Sequence, residues 1–397
     1  MSDSVDVRGR IKPHSGPSTP DIFAASGRIA SIDVLRGLVM ALMALDHTRD
    51  FFANGPFNPR DVTEPALFLT RWITHFCAPA FVLLSGISAY LYRRGRGRAE
   101  LSRFLFTRAL WLILIEFTLI NFAWGFDPSF YRGLGAGVIW VIGASMLVLA
   151  ALIWLPRWVI AVVALGMIFG HNLFDGVRAE DLGAAAPIWR VLHDPGRIQI
   201  TETVRVFVLY TLIPWAGVLA AGYLLGPTML LDPKTRRRRL YQLGAGVTIG
   251  FVLLRAINLY GDPAPWSVQA MPLATILSFI NTEKYPPSLL FLMMTLGPSL
   301  MLLAAFEHAR GRIADWLATF GRVPFFYYVV HLYLIHALAI VAAFGMTGVF
   351  AARGPEIGLG LPGVYLAWLL VLALLYPLCR WFADVKARRK EWWWSYL

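Results

Sequence analysis

Residues 287–306 read PSLLFLMMTLGPSLMLLAAF, twenty positions with no charged side chain. At about 1.5 Å of rise per residue, a helix over this run covers the ~30 Å hydrocarbon core of a bilayer. Nine further apolar stretches lie at 34–53, 72–92, 104–124, 135–155, 158–174, 205–226, 241–260, 323–344 and 362–381. Their period is helical or featureless, unlike the strict alternation of a membrane barrel. With no water in the bilayer core, each segment must satisfy its own backbone, which leaves only helix. The expected fold is all-α, a polytopic transmembrane bundle of about ten helices.

Composition agrees. The chain has 397 residues, 57% hydrophobic and 15% charged, whereas soluble domains run near ~25% charged. Mean hydropathy is +0.59. The net charge of +12 would suggest nucleic acid in a soluble protein. Here the cations sit in short loops, such as Arg93 to Arg98, Lys234 to Arg239, and Lys386 to Lys390. They read as topology signals and contacts to anionic lipid, so no nucleic-acid partner is expected. Alternate loops are basic, which places the amino terminus in the cytoplasm, and an even span count returns the carboxyl terminus there. Residues 1–28 read as a disordered cytoplasmic lead, 29–384 as the bundle, and 385–397 as a basic, aromatic interfacial tail. Cys77 and Cys379 lie inside apolar segments and suggest neither a disulfide nor a metal.

Ionisable residues inside spans are costly and are functional candidates by default. The first span is the richest, with Asp33 and Arg36 at its cytoplasmic entrance and Asp46-His47-Thr48-Arg49-Asp50 near its outer end. Arg36 and His47 lie roughly 16 Å apart along a helix. Asp46 and Asp50 share a face, and His47 and Asp50 are neighbours three apart. A carboxylate beside an imidazole fixes its tautomer, which makes His47 a candidate general base. His75 opens the second span at the same outer level. Glu116 and Arg255 sit near mid-membrane and are expected to find opposite charges or water. Asn281 and Lys284 precede a helix start set by Pro286 and Pro287. His331 and His336 are five apart and do not share a face, so they do not suggest a two-histidine metal site. The outer segment from His171 to Thr203, with Asp175, His193 and Asp194, is long for a connector.

Four runs, Arg28 to Gly37, Cys77 to Gly86, Lys284 to Leu289 and Gly321 to Phe326, together resemble the heparan-alpha-glucosaminide N-acetyltransferase catalytic-domain family over about residues 28–345. The resemblance implies a helical bundle that takes an acyl group from cytoplasmic acyl-CoA and passes it to an acceptor outside, such as a sugar amine or hydroxyl. Acetyl-CoA or another acyl-CoA is then a co-substrate, with no permanently bound cofactor. The family's catalytic histidine lies in the outer loop. The stretch Phe51 to Val62 has none, which passes that role to His47 or His75. The assignment that follows makes His47 the base, oriented by Asp46 or Asp50. Arg36 and Arg322, with Asp33 and His331, face the acyl-CoA. His75, Arg49, Asn281, Lys284 and His336 meet the acceptor. No metal is expected. The remaining partner is the lipid bilayer, and the setting is a bacterial inner membrane. The oligomeric state is open, a homodimer included. A secondary transporter or flippase of a polar or lipid-linked substrate is the rival reading, and a non-catalytic partner in envelope assembly is a third.

Overall fold

A computed structural model describes residues 29–53, 60–348 and 357–389, with 391 and 394. The lead 1–28 and residues 390, 392–393 and 395–397 of the expected interfacial tail lie outside the described residues. In chain order the elements are α1 (Ala30–Phe52), α2 (Pro65–Thr74), α3 (Cys77–Tyr92), α4 (Arg98–Ile115), α5 (Asn121–Gly125), β1 (Gly133–Ala136), α6 (Val138–Leu152), α7 (Arg157–Gly170), α8 (Ala186–Leu192), β2 (Gly196–Gln199), β3 (Arg205–Val208), α9 (Leu212–Leu225), α10 (Pro233–Ile257), α11 (Pro272–Ile280), α12 (Leu289–Ala305), α13 (Arg312–Arg322), α14 (Pro324–Thr347) and α15 (Leu361–Arg388). Helices α2 and α3 run on as one span, Pro65–Tyr92. Helices α4 and α5 do the same, Arg98–Gly125, through a π-turn at Glu116–Ile120.

The expected membrane bundle holds and is mostly helical. Among the described residues, eight helices are long and apolar enough to cross a bilayer. The other two expected spans are also helical but differ in kind. The 23 residues of α1 carry Asp33, Arg36, Asp46, Arg49 and Asp50. The 15 residues of α6 reach only about 22 Å at the usual helical rise. The start of the sixth expected span is corrected. Residues 205–208 form strand β3, and the helix begins at Leu212. Arg205-Val206-Phe207-Val208 alternates between exposed and sheltered positions and is rich in β-branched and aromatic side chains, which suit a strand. It pairs in parallel with β1 and antiparallel with β2, giving a small sheet of order β1-β3-β2.

Helix α1 is central, packing against α3, α13, α14 and α15. Its approach to α13 is close enough to require glycine on both sides. A Cβ on Gly37 would stand 1.8 Å from the Leu317 carbonyl oxygen, and one on Gly321 would stand 1.9 Å from that of Asp33. Two of the sequence runs quoted above therefore meet across one interface. Cys77 ties a third run to α1 by donating to the Val39 carbonyl (3.1 Å), and Tyr327, just past the Gly321 to Phe326 run, donates to the Met40 carbonyl (3.1 Å).

Arg255, at the end of α10, is 1% exposed. Its guanidinium donates to the carbonyls of Phe279 (2.9 Å), Ala264 (3.0 Å), Ser278 (3.2 Å) and Asn281 (2.9 Å), and lies 3.7 Å from Asp262. Asp262 in turn accepts from Ser288 Oγ at 2.6 Å and the Glu283 amide at 2.8 Å. This knot folds the 258–288 segment onto the start of α12, where Ser288 caps the helix through the Phe291 amide at 3.0 Å.

Candidate active site

His47, near the carboxyl end of α1, stacks on His331 of α14 with ring centroids 5.0 Å apart. His47 Nδ1 lies 2.7 Å from His331 Nε2, and His331 Nδ1 lies 3.0 Å from the Tyr327 carbonyl oxygen. A carbonyl only accepts, so His331 Nδ1 carries the hydrogen. With both rings neutral, His331 Nε2 is then an acceptor and His47 Nδ1 must donate to it. The lone pair of His47 falls on Nε2, the tautomer a general base requires. Trp124 meets the His47 ring edge-on at 5.1 Å.

His47 lines a pocket of about 250 Å³ together with Asp46, Arg49, Asp50, Arg71 and Glu116. Trp124, Phe207, Tyr210, Tyr285 and Tyr328 add aromatic wall, and Gly135 and Ala136 of the small sheet close one side. Asp46 accepts from Arg71 and pairs with Arg49 at 2.8 Å, while Asp50 pairs with Arg49 at 2.7 Å. These carboxylates therefore hold guanidiniums, and it is His331 that hydrogen-bonds His47. Glu116 opens the π-turn, a device often found at functional sites. Its carboxylate accepts from the Gly137 (3.2 Å) and Trp140 (3.0 Å) amides at the start of α6. Backbone amides thus compensate its burial, whereas Arg255 finds the opposite charge of Asp262. Across the pocket the Tyr210 and Tyr285 hydroxyls lie 3.5 Å apart. Burial pushes Tyr210 well above the ordinary tyrosine range, with the neighbouring Tyr285 adding to it. Burial also raises Tyr285, but the Lys284 and Arg71 cations outweigh that and leave it below its usual value.

Val138 and Tyr328 also line a second cavity of about 320 Å³, which contains Arg36, Ser88, Arg108, Arg322 and Lys386 along with apolar wall from α3, α4 and α6. Arg36, Ser88 and Arg322 in turn line a third cavity, about 540 Å³, that adds Asp33, Arg94 and Arg236. Arg36 is braced by Asp33 Oδ1 (3.4 Å), Ser88 Oγ (3.1 Å) and the Gly321 carbonyl (3.2 Å). Shared lining residues thus link three cavities between an arginine cluster and His47.

The expected site residues divide accordingly. Asp46, His47, Arg49 and Asp50 share one pocket; Asp33, Arg36 and Arg322 share another. His331 lines neither arginine-bearing cavity and sits behind His47 instead. His336 donates from Nδ1 to the Ala123 carbonyl at 2.7 Å and stacks on Phe126 at 4.1 Å, which anchors α5. His75 stands at the α2–α3 break against Phe291, 5.4 Å between rings. Asn281 belongs to the Arg255 knot and donates to the Arg60 carbonyl at 3.2 Å. The Lys284 ammonium lies 5.2 Å from the Tyr285 ring centroid. Arg71, Trp124, Tyr210, Tyr285 and Tyr328 carry no sequence signal beyond being polar or aromatic near span ends, and only the fold assembles them around His47.

The sequence model described as heparan-alpha-glucosaminide N-acetyltransferase, catalytic, matches residues 28–254. That region holds Asp33, Arg36, His47, Arg71 and Glu116. The match ends before the Lys284 to Leu289 and Gly321 to Phe326 runs. No curated protein sequence matches the chain. The matched region covers more than half of the chain, so this multi-pass membrane protein belongs to the heparan-alpha-glucosaminide N-acetyltransferase catalytic family, a family of membrane acetyltransferases.

Proposed function

We propose that the protein transfers an acetyl group from cytoplasmic acetyl-CoA to the hydroxyl or amine of an extracytoplasmic glycan or small molecule, across a bacterial inner membrane. One observation carries this reading. His47 presents an unshared Nε2 lone pair to a pocket that meets, at Tyr328 and Val138, a cavity leading to Arg36 and Arg322. The arginine cluster suits the phosphates of a coenzyme A nucleotide, and the apolar second cavity suits its pantetheine arm.

A thioester is already activated, so the protein must supply a base, a field for the oxyanion and orientation. His47 Nε2 takes the proton from the acceptor N–H or O–H. The acceptor's lone pair forms a bond to the carbonyl carbon, the C–S bond breaks, and the departing thiolate receives the proton from His47. Arg71 and Tyr328 stand on the same pocket to meet the developing negative charge. Aromatic walls beside carboxylates suit a sugar ring and its hydroxyls.

The test is reconstitution in liposomes with radiolabelled acetyl-CoA on the cytoplasmic face and candidate amino sugars and polyols on the other. The expected result is labelled acceptor outside, dependent on His47. Movement of an unmodified solute with no label transferred would establish the transporter reading in its place.

A further inference from the structure

The outer segment after α7 contributes nothing to the acetyl-transfer pocket, yet it brings three metal-ligating side chains together. We propose that His171, Asp175 and His193 form a zinc site, independent of the transfer chemistry. His171 opens the short turn that closes α7, Asp175 follows one turn later, and His193, 22 residues after His171, arrives just after α8. A ligand atom from each can be chosen so that all three lie within 4.8 Å of one another. His171 Nδ1 and His193 Nε2 are 3.4 Å apart, and His193 Nε2 and Asp175 Oδ1 are 3.7 Å apart. Zinc bonds of 2.0–2.1 Å at tetrahedral angles require neighbouring ligand atoms roughly 3.4 Å apart. Two of the three ligand pairs are thus already near the spacing a zinc ion needs.

The surroundings are those of a built site. His171 and His193 are 1% and 2% exposed. Asn172 Nδ2 donates to the other Asp175 oxygen, Oδ2, at 2.8 Å and fixes the carboxylate's direction, as outer-sphere partners of metal ligands do. The Trp189 ring stacks on His193 at 5.2 Å. Asp194, next in sequence, holds the loop by accepting from the Ala179 amide at 2.9 Å and from Arg190 at 3.0 Å.

Protein partners alone satisfy His171 poorly. Its Nδ1, the atom that faces His193, has only a long 3.4 Å contact there. Leaving a buried polar atom unmet costs about 1–3 kcal/mol. Without metal, His193 Nε2 carries a hydrogen and donates to the His171 carbonyl at 2.8 Å. On binding, zinc takes that place and the ring's hydrogen moves to Nδ1. Two histidines and a carboxylate leave a fourth position for water. The neighbouring Asn172 side chain accepts from the Leu289 amide at 2.9 Å, so an ion here would pin the 175–195 loop to the start of α12. His171 and Asp175 are four apart in sequence, but His193 is too distant for any recognised spacing. This explains why a reading of the sequence anticipates no metal.

The experiment uses the full chain, purified in detergent without a polyhistidine tag, stripped with chelator and then equilibrated with Zn²⁺. Elemental analysis should find one zinc per chain, and the thermal midpoint should rise with zinc and fall again on adding EDTA. Replacing zinc with Co²⁺ should give the visible absorption of a tetrahedral N,N,O site. His193→Ala should retain no zinc. If that variant does not fold, Asp175→Asn, which keeps shape, should bind zinc at least about tenfold more weakly. Sub-stoichiometric zinc in the wild-type chain, absence of the Co²⁺ bands, or undiminished zinc in Asp175→Asn would each overturn the proposal.

Discussion

Arg255 and His47 are both polar groups held near the ends of membrane helices, yet they are provided for in opposite ways. Arg255 spends its donors on four carbonyls and lies beside Asp262. His47 uses one nitrogen on His331 and turns the other toward a cavity. The first arrangement is closed and works as a clamp on the loop before α12. The second is left one bond short where a substrate can supply it. Within a membrane, where every unmet polar group is costly, such an incomplete set is the stronger mark of chemistry.

Substitutions can break this contrast. Arg255→Leu should have the largest effect: it strands Asp262 and several buried carbonyls, at a cost of about 3–5 kcal/mol. The expected outcome is loss of monodisperse protein by size exclusion in detergent, and a well-folded Arg255→Leu would show that the knot is not structural. His47→Ala should leave the thermal midpoint within a few degrees while slowing acetyl transfer by about 10²–10⁴-fold. Retained transfer would remove His47 as the base. His331→Phe keeps a ring against His47 but removes the acceptor for Nδ1. A fall of about 10–100-fold, carried by kcat rather than KM, is expected for a residue that only positions the base. His336→Phe is the smallest change. It keeps the stack on Phe126, forfeits one hydrogen bond worth about 1 kcal/mol, and should leave transfer rates unchanged. A rate loss there comparable to that of His331→Phe would mean the two histidines are not divided as described.

The helical spans were legible because apolar runs of bilayer length leave the backbone no alternative, and eight of the ten runs fall on the span-length helices. The small sheet was not. Its strands are four residues each, too short for alternation to stand out, and Arg205 to Val208 reads equally well as the start of an apolar span. The chemical core was partly legible. Asp46 to Asp50 stands out as a charged run in an apolar helix, but which group engages His47 was not, since neighbours on α1 compete with partners from other helices. Arg71 captures Asp46, and His331 comes 284 positions along the chain to meet His47. The five-residue offset of His331 from His336 does predict that they serve different faces, one on His47 and the other on the Ala123 carbonyl.

Tyr328 and Val138 stand where the His47 pocket and the arginine-bearing cavity adjoin. A membrane that stores energy as an ion gradient cannot tolerate an open pore, and the proposed reaction, with its acyl donor on one face and its acceptor on the other, has to run without one. With Tyr328 lining both cavities, the proposed transfer would need only a two-carbon fragment to cross at a single point, and the two faces would not have to share their water.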